Sequence, residues 1–158
     1  MMRQRMLSIG DDFTIEDESG QRAFTIDGKA LRLRKTLKLL DANGTEQYAI
    51  QAKVARVRDT MEIERAGGGV AAKVHSALLT PLRDRWSIDI PGGDDLSATG
   101  HVLDHEYRIR RGGTTVASVS RRWFRVRDTY GVEVGAGEDA ALLLSVVVVI
   151  DMMAHPGR

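Results

Sequence analysis

The chain has 158 residues, 23 of them basic and 22 acidic, a formal net charge of +1 and no cysteine. A single domain of this length buries a core without metal or disulfide support, and the missing thiols exclude a cysteine nucleophile, a thiolate metal site and an iron–sulfur cluster. Near-neutral charge gives no global attraction to nucleic acid or membrane, so any electrostatic site has to be a local patch.

At the N-terminus, Met1-Met2-Arg3-Gln4-Arg5-Met6-Leu7 carries two early positive charges but reaches Gly10-Asp11-Asp12 before an apolar stretch develops. It is not read as a signal peptide, and the expected location is the cytoplasm, peripheral at the membrane. Next come paired alternating segments. Phe13 to Glu16 and Ala23 to Ile26 flank Asp17-Glu18-Ser19-Gly20; Leu37 to Leu39 and Tyr48 to Ile50 flank Asp41-Ala42-Asn43-Gly44, whose Asn-Gly pair suits a tight hairpin turn. Further strands are predicted over 60–64, 70–76, 86–90, 96–102, 107–110, 115–120 and 129–134. Gly67-Gly68-Gly69, Pro91-Gly92-Gly93-Asp94 and Gly112-Gly113 separate them.

These segments repeat. Arg56-Val57-Arg58-Asp59-Thr60 recurs as Arg125-Val126-Arg127-Asp128-Thr129, and a weaker copy, Arg32-Leu33-Arg34-Lys35-Thr36, lies 24 positions before the first. The same shift of 24 carries Ile15 to Leu39, Gly20 to Gly44, Phe24 to Tyr48 and Ile26 to Ile50, so the unit is a hairpin followed by a basic link. A shift of 69 carries Asn43-Gly44 to Gly112-Gly113 but sets Leu39 on Arg108 and Leu40 on Ile109, which predicts a bulge or one-residue register change there. Connections this short cannot make parallel crossovers. About twelve antiparallel strands follow, and closure into a barrel would remove their two free edges.

From Ala140 to Ile150 every residue except Ser145 is apolar. The run is too short to span a bilayer and apolar on all sides, so it reads as a buried helix of about 138–154 filling that barrel. Glu138 and Asp139 suit the positive end of its dipole, and Pro156-Gly157 stops it. The competing reading is a strand, because Val146 to Ile150 is β-branched. Burial decides for the helix, with the Ser145 hydroxyl expected on the Ala141 carbonyl.

The strand-Asp-x-x-Gly-strand opening at Asp17 to Ile26, the segment Leu39 to Gly44, Ala117-Ser118-Val119-Ser120-Arg121-Arg122 followed by Asp128-Thr129-Tyr130, and the terminal Leu143 to Asp151 together resemble the LURP-one-related proteins of the Tubby C-terminal-like superfamily, which includes the phospholipid scramblases. The resemblance covers nearly the whole chain as one domain of residues 1–158. It implies a twelve-stranded barrel around a hydrophobic C-terminal helix and a role at phosphoinositides or other lipids. The scramblase cysteine cluster and Pro-rich N-terminus are absent.

The basic links are the candidate site. Arg121, Arg122, Arg125 and Arg127 bracket Trp123 and Phe124, and Arg56 and Arg58 together with Arg32, Arg34 and Lys35 add charge if the links converge. Planar guanidinium forks suit phosphate and aromatics suit a membrane interface, while the plain reading is a set of solvated strand positions. His101 and His105 read as solvent-exposed turn residues, His75 and His155 show no evident partner, and Gly67-Gly68-Gly69 is a turn rather than a phosphate loop. Met152 and Met153 complete the core. The expected function is a non-catalytic module for anionic lipid head groups or phosphorylated ligands, with no cofactor, no metal, no specific nucleic acid and no membrane-spanning segment. The alternative is a structural scaffold for a protein partner.

Overall fold

A computed structural model describes residues 2–9, 12–27, 36–53, 60–76, 84–121 and 129–154. The protein is mainly β, one antiparallel sheet with a single C-terminal helix. The strands are β1 (Met2–Ile9), β2 (Asp12–Glu16), β3 (Arg22–Asp27), β4 (Thr36–Asp41), β5 (Glu46–Lys53), β6 (Thr60–Arg65), β7 (Val70–His75), β8 (Asp84–Asp89), β9 (Leu96–His101), β10 (Glu106–Arg111), β11 (Thr114–Ser120) and β12 (Thr129–Val134), and the helix is α1 (Ala140–Ala154). Each of β2 to β12 bonds to its neighbour in the chain. β1 was not among the predicted strands. It lies antiparallel to both ends of this eleven-strand meander, Met2–Leu7 against Thr129–Val134 and Arg5–Ile9 against Asp12–Glu16.

The sequence repeat is a repeat of turn geometry. In the hairpins β2–β3, β4–β5 and β6–β7 the Gly20, Gly44 and Gly68 amides donate to the Asp17, Asp41 and Arg65 carbonyls at 3.0, 3.0 and 2.9 Å. These glycines hold φ of +82°, +80° and +101°, a region where a Cβ is costly. Each hairpin then carries one unmatched residue just past its turn, Ala23, Gln47 and Ala71, again 24 positions apart. The hairpin β10–β11 repeats the device at Val116 after Ile109, the place where the longer repeat misaligned its faces. Such bulges bend a strand and raise its twist, so one per hairpin curls the meander around an axis.

The inner face supplies the core: Ile15, Ile26, Leu37, Leu39, Ile50 and Ile63 are at most 1% exposed, and the other hairpins contribute likewise. Against them packs α1, whose Leu143, Leu144, Val146, Val147, Val148, Val149 and Ile150 are at most 2% exposed. Burying seven such side chains is worth on the order of 10–20 kcal/mol before entropy. The helix cost of the β-branched residues is only about 3 kcal/mol in all. Burial therefore wins. The Ser145 hydroxyl donates to the Ala141 carbonyl at 2.8 Å, as expected of a buried hydroxyl in a helix. Asp139 caps the start of α1, its Oδ1 accepting the Leu142 amide at 3.0 Å. Met152 and Met153 are half-buried against the same core.

Candidate functional site

Strand alternation sorts the connections. The tight turns at residues 17–21, 41–45, 65–69 and 111–114 lie at one end of the sheet, together with the start of α1. The opposite end holds the strand termini Asp27, Thr36, Lys53, Thr60, His75, Asp84, Ser120 and Thr129, which flank the links, and the last turn of α1. Of the predicted site residues only Arg121 is described. It is exposed, and its amide donates to Glu106 Oε1 at 3.0 Å while the Ser120 hydroxyl donates to the same carboxylate at 2.8 and 3.0 Å. Arg32, Arg34, Lys35, Arg56, Arg58, Arg122, Arg125 and Arg127 lie outside the described residues, as do Trp123, Phe124 and His155.

Two histidines depart from the expectation. His101 is exposed, but His105 is buried. A 3-10 turn over Val102–Asp104 ends on His105 in the left-handed region, φ 54°, with its amide on the Val102 carbonyl at 3.0 Å. That geometry tips the imidazole inward. Nε2 meets Asp151 Oδ1 of α1 at 2.6 Å, and the ring stacks on Tyr130 with centroids 4.3 Å apart. A carboxylate at the end of a fully apolar helix needs a buried partner, and this was the sequence signal for the pair. Tyr107 stands beside it, its phenol pushed well above the usual 10 by burial and then by the Asp151 charge. The arrangement latches the end of α1 to the β9–β10 link.

His75 also has partners: Nε2 meets Asp89 Oδ2 at 2.8 Å and Nδ1 meets Thr60 Oγ1 at 3.0 Å. Hydroxyl, imidazole and carboxylate stand here in the order of a nucleophilic relay. The register sets Thr60 opposite His75 on β6 and β7 and Lys73 opposite Asp89 on β7 and β8, so the three side chains bond across three neighbouring strands. The trio is a clasp across β6, β7 and β8.

At the turn end the start of α1 is tied to two strands. The Tyr48 hydroxyl donates to the Asp139 carboxylate, and burial together with that bond pushes the phenol up to about 12. Arg111 grips Glu138 with both terminal nitrogens at 2.9 and 3.0 Å, holding that carboxyl below its ordinary value. Among the described residues no group of three or more His, Asp or Glu side chains could hold a metal, and no helix is long and apolar enough to cross a membrane.

The fold and its latched helix define a class: a bulged antiparallel hairpin repeat wrapped on an apolar C-terminal helix. The chain belongs to the LURP-one-related family, which it matches over residues 1–151. It is 25% identical to the "Uncharacterized protein YxjI" of Bacillus subtilis over 154 residues, 98% of this chain and 92% of the relative. Among solved structures it resembles the X-ray structure of a protein from Arabidopsis thaliana, with a TM-score of 0.76 at 19% identity, covering 98% of this chain and 91% of that one. The latter likeness concerns the fold.

Proposed function

We propose that this protein is a non-catalytic binding module, a barrel closed by β1 around α1, that recognises anionic lipid head groups or phosphorylated ligands at its link end and works peripherally at a cytoplasmic membrane face. One observation carries the reading. The described strand ends on either side of each basic string, Asp27 and Thr36, Lys53 and Thr60, Ser120 and Thr129, belong to the same end of the sheet although they are far apart in sequence. Arg121 extends that set as an exposed guanidinium, and forked guanidinium donors match phosphate oxygens. The His105–Asp151 latch gives this end a fixed floor, since it joins α1 to a link rather than to a strand interior.

Flotation with vesicles of neutral, phosphatidylglycerol-containing and phosphoinositide-containing composition tests the proposal. Binding to the two anionic compositions is expected, weakening with salt and falling in an Arg122→Ala/Arg125→Ala/Arg127→Ala variant. Equal absence of binding to all three at low salt would overturn it.

A further inference from the structure

The geometry points to a second anion site, for a phosphate group, on the outer wall of β8, β9 and β10, built by Arg85 and Arg108 on either side of the Thr99 hydroxyl and extended by Arg110. This site goes beyond the link-end reading and uses none of its residues. Arg85 lies opposite Thr99, and Thr99 lies opposite Arg108. The two arginines are therefore two strand spacings apart, about 9–10 Å at the backbone, and Arg110 is about 7 Å further along β10. Guanidinium groups on stems this long reach a ligand seated over the strand between them.

Three observations single out this wall. First, the guanidinium groups of Arg85, Arg108 and Arg110 are exposed and enter no hydrogen bond or ion pair among the described residues, whereas Lys38, Lys73 and Arg111 each hold a carboxylate. Second, their outward-facing neighbours are hydroxyls, not acids: Ser87 lies opposite Ser97, Ser97 opposite Arg110, and Ser118 opposite Arg108. The carboxylates at the borders are engaged or lie further off: Asp89 meets His75, Asp95 accepts from the Ile90 amide, Glu106 accepts from Ser120 and the Arg121 amide, and Glu133 stands opposite Ser118, one strand beyond. In a chain with 23 basic and 22 acidic residues, a wall with three uncompensated cations reflects sorting of charge, not an excess of it. Third, every described cation on β8 to β11 is arginine. The fork of arginine chelates a phosphate in two bonds, and hydroxyls complete the oxygen shell.

The phosphate could belong to a soluble molecule or to a lipid head group, and two probes separate these sources. Inorganic pyrophosphate is titrated against the full-length protein at low salt while the backbone amides are followed by NMR, and phosphatidylglycerol vesicles are used in a parallel sedimentation assay. Saturable shifts centred on Thr99, Arg108 and Ser118, weakened at least tenfold in Arg85→Ala/Arg108→Ala, would assign the site to soluble phosphates. Vesicle binding lost in that double variant but kept in Arg122→Ala/Arg125→Ala/Arg127→Ala would assign it to head groups. The Arg85→Lys/Arg108→Lys variant keeps charge but loses the forks, and is expected to bind severalfold more weakly than the parent. The site is refuted by the absence of saturation with either probe, by shifts of equal size around Lys38 and Lys73, or by binding unchanged in the double alanine variant. Loss of vesicle binding in the link variant alone, with no saturable pyrophosphate shifts on β8 to β10, would leave the link reading standing and this one refuted.

Discussion

The wall formed by β4 to β7 and the wall formed by β8 to β11 share an inner face and differ on the outside. Inside, both present fully buried aliphatic side chains to α1: Leu39, Ile50 and Ile63 on one, Ile88, Ala98 and Ile109 on the other. Outside, the first wall neutralises itself. Lys38 holds Glu46 at 3.3 Å, Lys73 approaches Glu62 at 3.8 Å, and Gln51 donates to Glu64 at 3.3 Å. The second leaves Arg85, Arg108 and Arg110 without an ion pair among the described residues, set between hydroxyls. The period of two in a strand is what permits this: inward positions fix the fold, and outward positions are free to serve different ends. Charge that sums to almost nothing over the chain is still distributed unevenly around it.

Both walls lean on the same helix, so the largest expected effect removes the difference between them. Val147→Asp sets an unpaired carboxylate where the wild-type side chain has no exposure. Its burial penalty matches or exceeds the roughly 5–15 kcal/mol that holds such a domain together. Loss of the cooperative thermal transition is the expected result, and a folded, soluble variant would show that α1 is not the common support. Next in size is a change that strikes the second wall alone. Gly100 has φ of +147°, and a Cβ there would sit 2.6 Å from the Glu106 carbonyl oxygen and 2.7 Å from Tyr107 Cα. Both obstacles are backbone. Gly100→Ala is expected to cost about 3 kcal/mol in denaturant melts, by strain and by separating β9 from β10. The same substitution at Gly44, where nothing lies within 4 Å, isolates the cost of positive φ at about 1 kcal/mol.

The sequence made the inner face far easier to read than the outer one. Alternation in Leu37 to Leu39 and Tyr48 to Ile50, the shift of 24 and the apolar run after Asp139 depend on local periodicity, and the strands, the bulge near Ile109 and the Ser145 bond all followed. β1 escaped because Met2 to Leu7 has no turn of its own. It takes the place of a second strand for β12, whose chain departs into α1 instead, and such a pairing of chain ends leaves no local trace. Asp151 at the end of an apolar helix signals a buried partner, but that partner lies 46 positions away and the Thr60–His75–Asp89 clasp joins three strands, so naming the partners required the fold. Arg85 and Arg108 look like ordinary alternation until Thr99 is seen between them. The basic strings, which drew attention first, lie almost entirely outside the described residues.

Outer-face substitutions sharpen the contrast between walls at smaller scale. Lys73→Ala withdraws the ammonium beside Glu62, a carboxylate only 5% exposed, and is expected to lower stability by about 1 kcal/mol. Arg108→Ala removes an exposed side chain with no carboxylate partner among the described residues, and a change within about 0.5 kcal/mol is expected. Chemical denaturation of the two variants side by side checks this. Equal losses would mean that the arginine wall is built for stability, and would weaken its assignment to a ligand.

The smallest effect belongs to the ion pair between the second wall and the start of α1. Glu138 titrates below its ordinary value of 4.5 because Arg111 bonds its charged form. A carboxylate depressed in the folded state contributes stability that is fully present above the unfolded value and is lost as pH falls through the lower folded value. Glu138→Gln should therefore leave the protein marginally less stable at pH 7, by a few tenths of a kcal/mol for a pair that water still reaches, and equal to the parent once the pH has fallen below the lowered folded value. Thermal melts from pH 7 to 2.5 give the measurement. A gap that persisted at the acid end would show that the contribution of Glu138 does not depend on its charge.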